Sequence, residues 1–286
     1  MEEEFIMKKK MLALSMAVLM AASLAGCSSD AKETETTAAA SEAGAETAAE
    51  SEGETAAEDA EEEKTAEGGT LIMGTNATFP PYEYYEGDEI VGIDVEIAQA
   101  IGEKLGMEVT VEDMEFDALI PALASNKVDI VAAGMTVTPE RQESVNFTDT
   151  YATAAQVIIV KQGSDIASSE DLNGKILGVQ MGTTGDSLAS EIEGAQVERF
   201  NKYFEAIQSV LQGKIDAVII DSAPAKAFAE KDENLVILDE ALSSEDYAMA
   251  INKDNTELLD KVNAAIAELD EEGTLDEIVN KYIPAE

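Results

Sequence analysis

The chain has 286 residues, 60 of them acidic against 18 basic, for a formal net charge of −42, with no histidine, no tryptophan and one cysteine. A charge of that size and sign excludes nucleic acid and anionic lipid headgroups as partners. The lack of histidine removes Ser-His-Asp and Cys-His catalysis and the commonest metal ligand, and the single Cys27 cannot form an intramolecular disulfide.

Lys8, Lys9 and Lys10 precede an apolar run from Met11 to Leu24, followed by Leu24-Ala25-Gly26-Cys27. A basic start, a short apolar stretch and small residues before a cut form a secretory signal, too short to span a bilayer. Three glutamates precede the lysines, which makes Met7 a second candidate start. From residue 28 to 69 the composition shifts to Ala, Glu, Thr, Ser and Gly, with no aromatic residue. Such a segment buries too little to offset its conformational entropy and reads as a disordered, self-repelling tether.

Residues 70–286 read as alternating strands and helices. Leu71–Thr75 is a strand ending in the turn Asn76–Tyr82. Asp94 then caps a helical stripe of Val95, Ile97, Ala98, Ile101 and Leu105. Val109–Met114 is a strand, Phe116–Ala124 a helix, and Val128–Ala133 and Ala155–Val160 are strands. A second series follows: strand Ile176–Val179, a helix from about Asp186, helix Phe200–Leu211, strand Ile215–Ile220 and helix Ala223–Lys231. Leu235–Leu238 and Tyr247–Ile251 are strands. Asn255–Glu271 is a long amphipathic helix and Leu275–Tyr282 a short terminal one. Two βαβ-rich series joined by strand-like segments predict two α/β lobes. Ligands of such sheets bind beyond the carboxyl ends of strands. The turns 76–82, 134–141, 180–185 and 221–224 all fall there.

The most informative of these is Gly134-Met-Thr-Val-Thr-Pro-Glu-Arg141, continuing to Tyr151. It offers exposed backbone at Gly134, hydroxyls at Thr136 and Thr138, and at Arg141 a planar fork that matches a carboxylate. A strand-to-helix turn capped by Thr138, with Pro139 in the first helical position, explains the same residues without a ligand.

Together with Leu71–Tyr84, Gly92–Ala98, Phe116–Leu123, Val179–Gly185 and Ile215–Asp221, this segment resembles the extracellular solute-binding proteins of polar amino-acid ABC importers (family 3). The resemblance runs through essentially all of 70–286. Leu24–Cys27 likewise resembles a lipobox, whose cysteine is lipidated and becomes the first residue of the mature protein. The resemblance implies a two-lobed, periplasmic-binding-protein-like type II α/β fold. In it the ligand cleft lies between the lobes and a two-strand hinge joins them. Residues 1–27 would be a lipoprotein signal peptide and 28–69 the tether. Residues 70–154 with 248–286 would form one lobe, and 155–247 the other.

The implied ligand is a free amino acid, with no cofactor and no metal. Arg141 would hold its α-carboxylate, with N–H groups near Thr136 and Thr184 as further donors and Thr183 beside them in the ligand-binding set. Thr184 precedes a predicted helix, whose N-terminus favours an anion. Asp221 would take the α-ammonium with the Gly134 carbonyl and the Thr136 hydroxyl, although an N-cap role for Asp221 is equally open. Phe79 and Phe116 would sandwich the side chain, with plain core packing as the other reading of Phe116. Asn76, Met135 and Gln180 complete the implied set. Asp94 is read only as a helix cap.

A ligand touching both lobes draws them together, and strands near 154–157 and 241–247 would absorb the rotation. The expected protein is thus a monomer anchored outside the cell membrane by lipidated Cys27, delivering its ligand to an ABC permease. Position 76 as Asn favours a neutral polar ligand side chain, whereas Glu83, Glu112 or Glu115 facing inward would suit arginine or lysine. Both classes, basic and glutamine-like, stay open. A dehydratase-type enzyme on the same fold and a soluble amino-acid sensor are the alternatives.

Overall fold

The computed structural model describes residues 68–284. The expected signal segment with Cys27, and all but the last two residues of the expected tether, lie outside the described residues.

The chain opens with β1 (Thr70–Thr75), followed by a small antiparallel ribbon of β2 (Thr78–Phe79), β3 (Glu83–Glu86) and β4 (Glu89–Val91). Helix α1 (Ile93–Leu105), β5 (Glu108–Asp113), a 3₁₀ turn at Phe116–Ala118 and α2 (Leu119–Ala124) come next. Then follow β6 (Ile130–Val131), α3 (Pro139–Ser144) and β7 (Val145–Ala154). The second series holds β8 (Gln156–Lys161), β9 (Ile176–Gln180), α4 (Thr184–Glu191) and β10 (Gln196–Phe200). It continues through α5 (Tyr203–Leu211), β11 (Ala217–Asp221), α6 (Ser222–Ala229) and β12 (Leu235–Ala241). Strand β13 (Glu245–Asn252), α7 (Thr256–Glu271) and α8 (Thr274–Tyr282) close the described chain.

Two five-stranded sheets organise these elements, ordered β5-β1-β6-β13-β7 and β10-β9-β11-β8-β12. Each has parallel pairings at one end and antiparallel ones at the other. The central strands β8 and β11 are buried on both faces, which is why Gln156–Val160 and Ala217–Ile220 read as nearly continuous apolar runs. Strands β5 and β10 lie at the edges, half-exposed and carrying acidic residues that discourage pairing with another chain. Helices α1, α7 and α8 pack against one another beside the first sheet. Ile97, Ile101, Val262, Ile266 and Leu269, the apolar stripes of α1 and α7, are buried there.

The chain leaves the first sheet between Ala154 and Gln156 and returns between Ala241 and Glu245. The two passages run side by side: Leu242 N donates to Gln156 O at 2.8 Å, and Glu245 pairs with Ala154. Glu245, Asp246 and Tyr247, expected in the second lobe, belong to the first sheet, because β13 starts two residues before its continuous apolar stretch and runs into it.

Three further corrections concern local structure. Strands β7 and β10 have no counterpart in the sequence reading, and the expected strand Val128–Ala133 shrinks to the pair Ile130–Val131. Asp94 is not the cap of α1. Gly92 takes that position at φ 134°, where a Cβ would fall 2.1 Å from the Tyr82 carbonyl oxygen. Asp94 lies instead in the first turn, fully buried, and accepts from Gly134 N and Tyr151 Oη, both at 2.8 Å.

Candidate functional site

The turns that leave the strand ends converge on one cavity. Asn76, Phe79, Phe116, Gly134, Thr136 and Arg141 line it from the first lobe, and Gln180, Thr183, Thr184 and Asp221 from the second. Met135 does not line it. Its side chain is fully buried in the core beneath, with Leu119, Leu123 and Val131, because successive residues of an extended chain face opposite ways. Glu83 and Ala133 complete the lining, whereas Glu112 is exposed and sits on edge strand β5.

Gly134 shows why this corner needs its residue. Its φ of +51° lies in the left-handed region, and a Cβ there would come 2.8 Å from Phe79 Cε1. Phe79 is held at that approach by Tyr82 and Tyr203, with ring centroids 6.0 and 5.8 Å away. The Asp94 carboxylate pulls on the Gly134 N–H from behind, so the carbonyl side of that peptide is set by α1.

Arg141 combines both sequence readings. Thr138 does cap α3, accepting from Arg141 N at 3.1 Å, with Pro139 in the first turn. The Arg141 guanidinium nevertheless turns into the cavity, its Cζ 5.3 Å from the Phe116 ring centroid, a cation–π distance. Nη1 donates to Thr136 O at 2.8 Å and Nη2 to Gly182 O of the second lobe at 3.1 Å. Burial pushes the guanidinium pKa down, and the charges of Glu245 and Asp221 oppose that shift.

On the facing lobe, Thr183 caps α4 by accepting from Asp186 N at 3.3 Å, and its hydroxyl donates to Gln180 O at 2.8 Å. Asp186, in the first turn of α4, is neutralised by Arg199 at 2.8 Å. The positive end of α4 therefore faces the cavity beside Thr184 without a competing free carboxylate of its own. Asp221 occupies the N-cap position of α6 but makes no side-chain cap bond. Its Oδ1 accepts from the Tyr247 hydroxyl instead. Burial raises the Asp221 pKa from 3.8 to about 7, against the pull of Tyr247.

Two amides join the lobes at the other side. Asn76 Nδ2 donates to Met114 O at 2.7 Å, which fixes the ring of donors: its Oδ1 accepts from Gln180 Nε2 at 2.9 Å. Gln180 Nε2 also donates to Asn201 O at 2.8 Å. Glu83, 1% exposed, has neither carboxyl oxygen near a donor. Burial and the neighbouring Asp94 push its pKa well up.

The arrangement missed by sequence reading is the support behind these residues. Asp94, Gln156, Tyr151, Tyr247 and Glu245 hold the lining groups in place; Asp94 and Tyr151 fall in segments that carry the resemblance without being given this role, and Gln156, Tyr247 and Glu245 sit in no local pattern that marks it. Glu245 is the extreme case, since its partner Thr136 is 109 residues away in sequence. Among the described residues no group of three or more His, Cys, Asp or Glu could hold a metal ion.

The family model for "Bacterial extracellular solute-binding proteins, family 3" matches residues 71–285. The chain belongs to that family. Its relatives include the "Arginine-binding extracellular protein ArtP" of Bacillus subtilis (strain 168), 40% identical over 76% of this chain and 87% of that protein. Among solved structures, a mutant of ArgBP from T. maritima aligns with TM-score 0.73 and 43% identity, over 76% of this chain and 96% of the other. An ancestral arginine-binding protein bound to glutamine aligns with TM-score 0.73 and 42% identity, over 76% and 98%. The family places the protein outside the cytoplasm. Among the described residues no helix is long and apolar enough to cross a membrane.

Proposed function

We propose that the protein captures a free cationic L-amino acid of the arginine class in its inter-lobe cleft and delivers it to an ABC permease, without chemical turnover. The observation that carries the reading is the charge balance of the cavity wall. One cation, Arg141, faces inward together with two buried carboxyls, Asp221 and Glu83. An amino acid with one carboxylate and two cationic groups complements that wall, and a neutral amino acid leaves one carboxyl unmatched.

The geometry supports the roles that the resemblance implies. Arg141 and the first turn of α4 take the α-carboxylate, Asp221 the α-ammonium, and Phe79 and Phe116 the aliphatic stem. Gln180 spends its N–H groups on Asn76 and Asn201, so it presents its amide oxygen to the ligand. An oxygen there suits a guanidinium donor, and a guanidinium beside Glu83 opposes the burial and the Asp94 charge that hold its carboxyl protonated. The arginine-binding relatives ArtP and ArgBP favour the same class. Glutamine remains a second reading on one observation, the ancestral relative bound to it.

A ligand held by Arg141 of one lobe and Asp221 of the other binds the closed form better, and the passages at 154–156 and 241–245 are where the lobes rotate. The lipid anchor at Cys27, the tether over 28–69 and a monomeric state complete the proposal. Two tests apply. Calorimetry of arginine against glutamine decides the class, with arginine the tighter by tenfold or more. Metabolic labelling with a fatty-acid analogue reads the anchor, and loss of label in Cys27→Ser is the expected result.

A further inference from the structure

Glu245 stands at the first residue of β13, where the chain re-enters the first lobe, and is 8% exposed. Its Oε2 accepts from Thr136 Oγ1 of the first lobe at 2.6 Å and from Thr184 Oγ1 of the second at 2.9 Å. Gln156 Nε2, at the other passage, donates to the same oxygen at 3.2 Å and to Thr184 Oγ1 at 3.0 Å. The other Glu245 oxygen, Oε1, accepts from Ser243 Oγ at 2.9 Å. One carboxylate therefore gathers a hydroxyl from each lobe and both passages between them.

A hydroxyl has one proton to give. Thr136 and Thr184 both give theirs to Glu245, so what they turn toward the cavity is lone pairs. Lone pairs accept from an ammonium and repel a carboxylate. We propose that Glu245 is a positioning residue that fixes the polarity of the cleft. It makes the threonine hydroxyls of both lobes acceptors for the ligand's α-ammonium and leaves the α-carboxylate to Arg141 and the N–H groups of α4. Because those hydroxyls belong to different lobes, the same carboxylate ties recognition of the ammonium to the closed arrangement. Glu245 does not itself line the cavity and acts through Thr136 and Thr184. The inference rests on the amino-acid-binding reading above.

The test is calorimetry on the full chain with three probes: arginine, 5-guanidinopentanoate (no α-ammonium) and agmatine (no carboxylate). In Glu245→Gln the neutral amide can donate to the threonines and reverse their hydroxyls. The expected result is that the preference for arginine over 5-guanidinopentanoate shrinks by about tenfold or more, while the preference for arginine over agmatine stays as in the wild type. Glu245→Asp, too short to reach both hydroxyls, should fall between. Equal weakening of all three probes would make Glu245 a purely structural residue and overturn the proposal. Tighter arginine binding would also overturn it, by showing that Glu245 competes with the ligand's carboxylate for the threonines. Should Glu245→Gln fail to fold, Thr136→Val and Thr184→Val carry the same test, each expected to erode the ammonium preference alone. A wild-type protein that binds none of the probes would instead remove the functional reading beneath it.

Discussion

The two lobes are built on five-stranded sheets with the same run of two parallel and two antiparallel pairings, yet they equip the cleft differently. The first lobe brings a cation and an aromatic floor: Arg141 over Phe116, and Phe79 packed on Gly134 and Tyr82, with Tyr203 of the second lobe stacked on it. The second brings polar ends, Asp221 and Thr184, each at the start of a helix that follows a buried strand. The difference teaches how one fold separates tasks. Shape and the cationic half of the carboxylate grip come from packed side chains on one side, and the other side adds helix N–H groups and a carboxyl whose strength depends on closure. The first-lobe groups should matter whether or not the cleft closes, and the second-lobe groups only when it does.

Arg141→Ala should test that division with the largest effect, weakening ligand binding by roughly 2–5 kcal/mol because it leaves a buried carboxylate unpaired. Calorimetry checks it, and native affinity in that variant would refute the assigned role. Asp221→Asn should cost about 1.5–3 kcal/mol, the range of a hydrogen bond to a charged group. If closure is what brings Asp221 to the ligand, small-angle scattering should show that this variant compacts less on saturation with arginine than Arg141→Lys does.

Gly134→Ala should lower folding stability by about 1–3 kcal/mol, since it adds left-handed strain and a Cβ against Phe79. Denaturant unfolding reads this directly, and an unchanged midpoint would show that the floor is softer than its packing indicates.

The smallest effect is a pH dependence with opposite signs for folding and binding. Burial raises Asp94 from 3.8 to about 6 and Asp221 from 3.8 to about 7. The folded protein thus keeps these protons to higher pH than the unfolded chain does. Their contribution to stability is fully present below about pH 4 and is lost as pH rises through about 6 to 7. An ammonium ligand needs Asp221 ionised, so affinity should weaken by up to about tenfold per pH unit below pH 7. Asp221→Asn should flatten that profile, and an unaltered slope in the variant would assign the proton elsewhere.

Much of this was legible from the chain. The strand ends at Thr75, Gln180 and Ile220 could be placed because apolar runs stop abruptly at polar turns, and ten of the eleven expected site residues line one cavity. Met135 lies outside that lining because a residue inside a contact segment still alternates its direction. Strand β7 escaped because Val145-Asn-Phe-Thr-Asp-Thr-Tyr interleaves polar and apolar residues without a clean period of two, and its ladder to β13 is broken by register shifts. Asp94 looked like a cap because it precedes an apolar stripe, whereas its carboxylate is aimed across the fold at Gly134 and Tyr151. Glu245 could not be found locally at all. Its meaning comes from partners 61 to 109 residues away, which only the closed fold brings together.

The most direct test of the central claim is a calorimetric titration of the full chain, unfolded and refolded to strip any carried ligand, against each free amino acid. The account predicts tight binding of arginine, weaker binding of lysine, and a melting temperature that rises with arginine concentration. Binding of glutamine tighter than arginine, or no response to any amino acid, would contradict it.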